Sequence, residues 1–189
     1  MKPLVGLLAL QGDFWKHKER LDQMGVSSRL VRSPRELKNC THLIIPGGES
    51  TTLSKLMDSS GLRDVMLQFG EKKPIWGTCA GMILLSKESG DNRVKPLGLI
   101  DTVIERNAYG RQVDSFTVPL YFNGLKFNEP FHAIFIRAPK IKSIGPSVTA
   151  LARHNNTVVM ARNDRIMITS FHPELSGDIR IHKYFLEEM

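Results

Sequence analysis

The chain has 189 residues, enough for one domain with a sizeable buried core, and its 41% apolar and 24% charged residues are ordinary for a soluble globular protein. A net charge of +7, without a run of like charges, describes a soluble basic surface rather than a nucleic-acid site, and leaves docking on an acidic protein partner open. Two cysteines, Cys40 and Cys79, are too few for a secreted disulfide scaffold, and no CxxC or Cys/His cluster suggests zinc, so a cytoplasmic protein with reduced thiols is expected.

The apolar run 4–10 is too short to span a membrane and has no small-residue cleavage site after it; it reads as a buried first strand ended by Gly12-Asp13. Residues 14–24 read as a helix with Asp13 as N-cap, Gly25 as stop, and Leu21 and Met24 sharing a face with Trp15 or His17. A second strand follows at 28–31. Ser33-Pro34 then opens a short helix through Leu37. The third strand, 42–45, ends at Pro46-Gly47-Gly48, and helices are expected at 50–57 and 62–69, with Ser50 or Thr51 capping the former. Residues 74–77 make a fourth strand and 80–86 begin another helix. The second half is richer in strand, at 116–120, 133–137, 158–161 and 166–171, with surface loops at 88–95 and 123–130. A closing helix over 178–188 turns Ile181, Tyr184 and Phe185 to the core. This alternation predicts an α/β fold, residues 1–189 as a single domain, with a mostly parallel central sheet between two helical layers. Ligands of such sheets bind beyond the carboxyl ends of the strands, where Gln11-Gly12, the PGGES segment and Cys79 all fall.

Gly77-Thr78-Cys79-Ala80-Gly81 has the small-x-nucleophile-x-small pattern of a strand–turn–helix elbow, which needs small neighbours on both sides of a strained residue. The turn sets the thiol at the amino end of a helix, where the dipole favours an anion. Cys40 has no such setting and reads as a core cysteine. A nucleophilic thiol needs a base and the base an orienter. Phe171-His172-Pro173-Glu174 offers both at a strand end: His172 as base and Glu174 to fix its tautomer. His17, His42, His132, His154 and His182 lack this neighbourhood and read as surface or core histidines. Consecutive glycines in Pro46-Gly47-Gly48-Glu49-Ser50 allow backbone N–H groups to converge on an oxyanion, with Gly48 and Ala80 as the two donors.

Jointly these motifs resemble the class I, triad-type glutamine amidotransferases, whose fold is flavodoxin-like. More narrowly, GLLALQGD, IIPGGESTTLSKL, IWGTCAGMILL, ERNAYGRQVDSF, FIRAP and FHPEL, spread over nearly the whole chain, resemble the glutaminase subunits of pyridoxal 5′-phosphate synthases. The resemblance implies hydrolysis of L-glutamine to glutamate and ammonia by Cys79, His172 and Glu174. It implies glutamine contacts from Gly48, Glu49, Ser50, Arg106, Ile136 and Arg137. On charge alone, a guanidinium suits the α-carboxylate of glutamine and Glu49 its α-ammonium. Gln11 is expected to link the site to the partner interface. The implied partner is a synthase subunit in a large ring-like oligomer, whose docking raises a low basal activity; no metal, bound cofactor, nucleic acid or membrane is called for. The elbow and HPE pair alone would also serve a glutaminase of another pathway, such as imidazole glycerol phosphate or anthranilate synthesis. A non-catalytic binding module and a peptidase are the readings from other classes.

Overall fold

The computed structural model describes residues 2–105, 115–125 and 127–189. The first half of the chain runs β1 (Leu4–Leu8), α1 (Phe14–Gln23), β2 (Ser27–Val31), α2 (Pro34–Leu37), β3 (His42–Ile45), α3 (Ser50–Ser59), α4 (Leu62–Gly70), β4 (Ile75–Thr78) and α5 (Ala80–Leu85). The second continues with β5 (Ser86–Glu88), β6 (Ile100–Glu105), β7 (Phe116–Leu120), β8 (Phe131–Phe135), β9 (Lys140–Ile144), β10 (Thr149–His154), β11 (Thr157–Arg162) and β12 (Ile166–Thr169). A single 3-10 turn, Pro173–Leu175, and α6 (Arg180–Glu188) complete it.

Strands β2, β1, β3, β4 and β12 lie side by side and parallel, with Ile166 opposite Ile75 where β12 joins β4. Beyond β12 the sheet turns antiparallel through β11, β9 and β6, with β5 parallel at the edge and β10 paired to β11. β7 and β8 form a separate two-stranded sheet.

Alternate residues of the parallel strands feed two cores, as the period of a strand dictates. Leu8, Leu43, Ile45, Ile75, Ile166 and Ile168 pack under α2 to α5 with Leu53, Met57 and Met66. Val5, Leu7, Ile44, Trp76 and Met167 point the other way, to Leu21, Phe135, Ile181 and Phe185 under α1, α6 and the small sheet. Cys40 lies fully buried in the first core, and burial raises its thiol pKa.

The expected first strand stops at Leu8, and α1 turns His17 and Leu21 inward while Trp15 stays 53% exposed. The strand expected at 133–137 sits two residues earlier, because Arg137 adopts φ 45° and leaves the ladder after Phe135. Segment 88–95 is more than a surface loop: Ser89 and Val94 are buried, and the Lys95 carbonyl accepts from Arg63. Strands β5, β6, β9 and β10 are additions to the expected set. Among the described residues no helix is long and apolar enough to cross a membrane.

Candidate active site

Segments leaving the carboxyl ends of β1, β3, β4 and β12 converge on one cavity of about 630 Å3. Its walls include Gly12 and Asp13 from the first segment, Gly47, Gly48, Glu49 and Ser50 from the second, Cys79 and Ala80 from the third, and His172 from the fourth. Ile136 and Arg137, carried past β8, complete it from the side of the small sheet.

Cys79 stands between β4 and α5 at φ 48° and ψ −102°, a conformation that strains any residue with a side chain. Its N–H donates to the Thr169 carbonyl at 2.8 Å, which ties the turn to β12. The flanking glycines are sterically required. A Cβ on Gly77 would lie 2.5 Å from the backbone of Gly81, and one on Gly81 would lie 2.2 Å from the Ile45 carbonyl oxygen.

His172 is fixed on three sides. Its N–H donates to the Ile134 carbonyl at 2.8 Å, and its Nδ1 lies 2.7 Å from Glu174 Oε1. The ring edge packs on Gly47, where a Cβ would come within 2.4 Å of Cε1. With Nδ1 committed to the carboxylate, Nε2 is left for the thiol. Burial works against an imidazolium here, but hydrogen bonds to Cys79 and Glu174, with their charges, raise the His172 pKa to about 10. Glu174 is fully buried behind the cavity wall. Burial opposes its ionisation too, yet the imidazoles of His17 and His172 beside it hold the carboxyl below its usual range.

The Gly47 carbonyl accepts from the Asp13 N–H at 3.3 Å, so the Gly48 N–H of the same trans peptide points the opposite way. The Glu49 N–H is already taken by Gln11 Oε1 at 2.9 Å. Gln11 thus joins the first loop to the glycine segment. The cap of α3 is Glu49, in place of the expected Ser50 or Thr51. Its Oε2 accepts from the Thr52 N–H at 2.8 Å and from the hydroxyls of Thr51 and Thr52, and these bonds, that of the Thr51 hydroxyl foremost, lower its pKa to about 2. Ser50 is buried, its hydroxyl without a hydrogen-bond partner among the described residues. The Ile136 carbonyl lies 4.0 Å from Cys79 Sγ, while Arg137 is exposed. Arg106 lies outside the described residues.

Two groups near the site, read from the sequence only as surface or core histidines, are core residues placed beside Glu174. His17 from α1 and His182 from α6 are both fully buried, and His17 Nε2 lies 3.5 Å from Glu174 Oε2. The signal available was their spacing: His17 stands four residues before Leu21, and His182 three before Phe185, on the inward stripes of their helices.

A thiol, an imidazole held by a carboxylate, and peptide N–H groups on one cavity wall form a set equipped for acyl transfer through a thioester. No group of three or more His, Cys, Asp or Glu among the described residues is arranged to hold a metal ion.

Comparison with known proteins follows the same line. Residues 7–189 match the model of the SNO glutamine amidotransferase family. The chain is 49% identical over 185 residues to the pyridoxal 5′-phosphate synthase subunit PdxT of Pelotomaculum thermopropionicum, covering 97% of this chain and 94% of that one. It is 45% identical over 184 residues to the PdxT of Desulforudis audaxviator, with 97% of each chain covered. A solved glutamine amidotransferase superposes with a TM-score of 0.90 at 44% identity, over 97% of each chain. The structure of PurLQS from Thermotoga maritima, at 14% identity and a TM-score of 0.77, shares the fold.

Proposed function

This chain belongs to the SNO glutamine amidotransferase family, and from that premise we propose that it is the glutaminase subunit of a pyridoxal 5′-phosphate synthase. The observation that carries this reading is Cys79 and His172 at one cavity wall, with Glu174 buried behind His172 and the Gly47–Gly48 peptide beside them.

The Cys79 thiolate attacks the side-chain amide carbon of L-glutamine, and the C=O electron pair moves to oxygen. The N–H groups of Gly48 and Ala80 stabilise that oxyanion. The His172 imidazolium then gives its Nε2 proton to the amide nitrogen as the C–N bond breaks, releasing ammonia and leaving a γ-glutamyl thioester. The imidazole, now neutral, takes a proton from water as the hydroxyl adds to the thioester. Collapse expels the thiolate and releases glutamate. Glu174 keeps Nδ1 protonated throughout. Arg137 and, from the segment outside the described residues, Arg106 serve the substrate α-carboxylate. Glu49 is offered to the α-ammonium, its charge secured by the threonine bonds. Ser50 and Ile136 complete the substrate contacts.

The partner is the synthase subunit, a ring-like oligomer of the cytoplasm that receives the ammonia; neither nucleic acid nor membrane takes part. Asp13 holds the Gly47 carbonyl and Gln11 holds the Glu49 N–H, so the first loop governs the aim of the peptide between them. Docking on that loop re-aims the Gly48 N–H and raises the rate.

Glutamate release from L-glutamine, measured with and without a pyridoxal 5′-phosphate synthase subunit, tests the proposal. Activity should appear or rise with that subunit and fall at least ~10⁴-fold in Cys79→Ala. Turnover indifferent to the synthase would assign the glutaminase to another pathway. No turnover by folded protein in either mixture would reject the enzyme reading.

A further inference from the structure

Glu174 presents two oxygens, and His172 uses one. The other, Oε2, is buried and makes no well-aligned hydrogen bond among the described residues. The imidazole of His17 stands against it, Nε2 to Oε2 3.5 Å. On the far side of that ring, His17 Nδ1 lies 3.0 Å from His182 Nε2. The two rings are inclined 54° to each other, and both meet the indole of Trp76 edge-on, with centroids at 5.3 and 4.8 Å. Helices α1 and α6 therefore each send one imidazole inward, and the pair ends on the carboxylate that orients His172.

The protonation pattern of this chain follows from charge and partners. Burial lowers His17 to a pKa of about 3 against the pull of Glu174, with His182 and His172 adding to the lowering. Burial likewise takes His182 to about 3, aided by the Arg20 charge. Each ring is neutral and carries one N–H. If His182 donates Nε2–H to His17 Nδ1, then His17 must carry its proton on Nε2, facing Glu174. The one nitrogen left over, His182 Nδ1, is then a bare acceptor, and it is buried with no hydrogen-bond partner. The opposite arrangement would let the Thr78 hydroxyl, 3.5 Å from His17 Nε2, donate to that nitrogen. It would also bury an N–H of His182 without an acceptor and leave Glu174 Oε2 without a donor, and orphaned N–H groups are the rarer and costlier defect.

We propose that His17 and His182 extend the site inward as a pair of positioning residues. His182 sets the tautomer of His17, and His17 donates Nε2–H to the oxygen of Glu174 that His172 leaves free. The proposal rests on the glutaminase reading and deepens it. Neither histidine reaches the substrate cavity; both act through Glu174, whose rotation about its side-chain bonds would otherwise loosen the aim of His172. The arrangement also places one link of the site on α1, the helix that begins directly after the Gln11–Gly12 loop.

Two measurements on the full chain test this. Nitrogen-15 NMR of the histidine rings in the wild-type protein at neutral pH reads the tautomers without any mutation. Neutral rings with the proton on Nε2 in both His17 and His182 are expected; a charged ring, or His17 protonated on Nδ1, overturns the proposal. Glutaminase kinetics in complex with the synthase subunit supply the second. His17→Leu should lose about ten- to a hundredfold in kcat with KM little changed, as befits a lost hydrogen bond to a charged group. His17→Gln, whose amide nitrogen reaches the former Nε2 position, should recover most of that loss. His182→Leu should cost less than His17→Leu. Leu and Gln variants equally impaired would reduce His17 to a packing residue and overturn the proposal, as would a His17→Leu variant with wild-type kcat. An inert wild type in the same assay would instead overturn the glutaminase reading, which separates the two failures.

Discussion

The two faces of the central sheet are filled by opposite means. Under α2 to α5 the core is mainly aliphatic, with leucine, isoleucine, valine and methionine predominating, and it includes Cys40, whose thiol pKa is raised by burial. Under α1 and α6 the sheet buries two histidines against Trp76 with no loss of closeness, and the polar groups there form a line that ends on Glu174. Burying polar atoms is costly unless partners meet them, so a neutral imidazole pair is placed where it has a carboxylate to serve. The contrast teaches that one face carries stability and the other carries aim.

The comparison breaks most visibly at Glu174. Glu174→Gln keeps the shape of the site but offers His172 an amide in place of the carboxylate. It should lower kcat by about 10²- to 10⁴-fold with KM nearly unchanged, measured as glutamate release at saturating glutamine. On the aliphatic face Met66→Ala should do the reverse. A fully buried methionine cut back to alanine costs about 2–5 kcal/mol, read from the urea midpoint, while kcat per folded molecule stays at the wild-type value. Lost turnover in Met66→Ala at full folding would erase the distinction between the faces.

A smaller effect sharpens it. His17 and His182 have folded pKa values of about 3, below the ordinary 6.5, so between those values the unfolded chain binds more protons than the native one. Stability should therefore fall as pH drops from about 6.5 towards 3, by at most ~1.4 kcal/mol per pH unit for each histidine. His172 has the opposite sign: its pKa is raised to about 10, and its contribution, full below 6.5, is lost as pH climbs through 10. Denaturation midpoints against pH should trace a dome with its maximum near neutrality. Replacing both His17 and His182 by leucine should flatten the acid limb alone.

The parallel half of the fold was legible because its strands are short apolar runs closed by glycine or proline, and both of their faces are covered. β3 matches its expected span, and β1, β2 and β4 differ from theirs by a residue or two at the ends. β5, β6, β9 and β10 escaped notice for a physical reason. KIKSI is polar on one face and owes its conformation to β6 and β11, both distant in the chain, while TALARH lacks a clean alternation of its own and is held by its hairpin with β11. The elbow and the His172–Glu174 pair were readable because steric need and chemistry act within five residues. The role of Glu49 as helix cap was overlooked, since glutamate competes poorly with serine and threonine in such positions by sequence preference. His17 and His182 could not be paired from sequence, because what joins them is the packing of two helices from opposite ends of the chain.

β4 and β12 are neighbours in the sheet although most of the second half of the chain lies between them. The thiol directly follows the strand made early, and the imidazole follows the strand made late. A chain still emerging from the ribosome lacks β12, to which the Cys79 turn is tied through the Thr169 carbonyl, and lacks the turn that carries His172, so the meeting of thiol and imidazole waits for residues 166–174. The proposed site is thus completed only near the end of synthesis, when β12 takes its place beside β4.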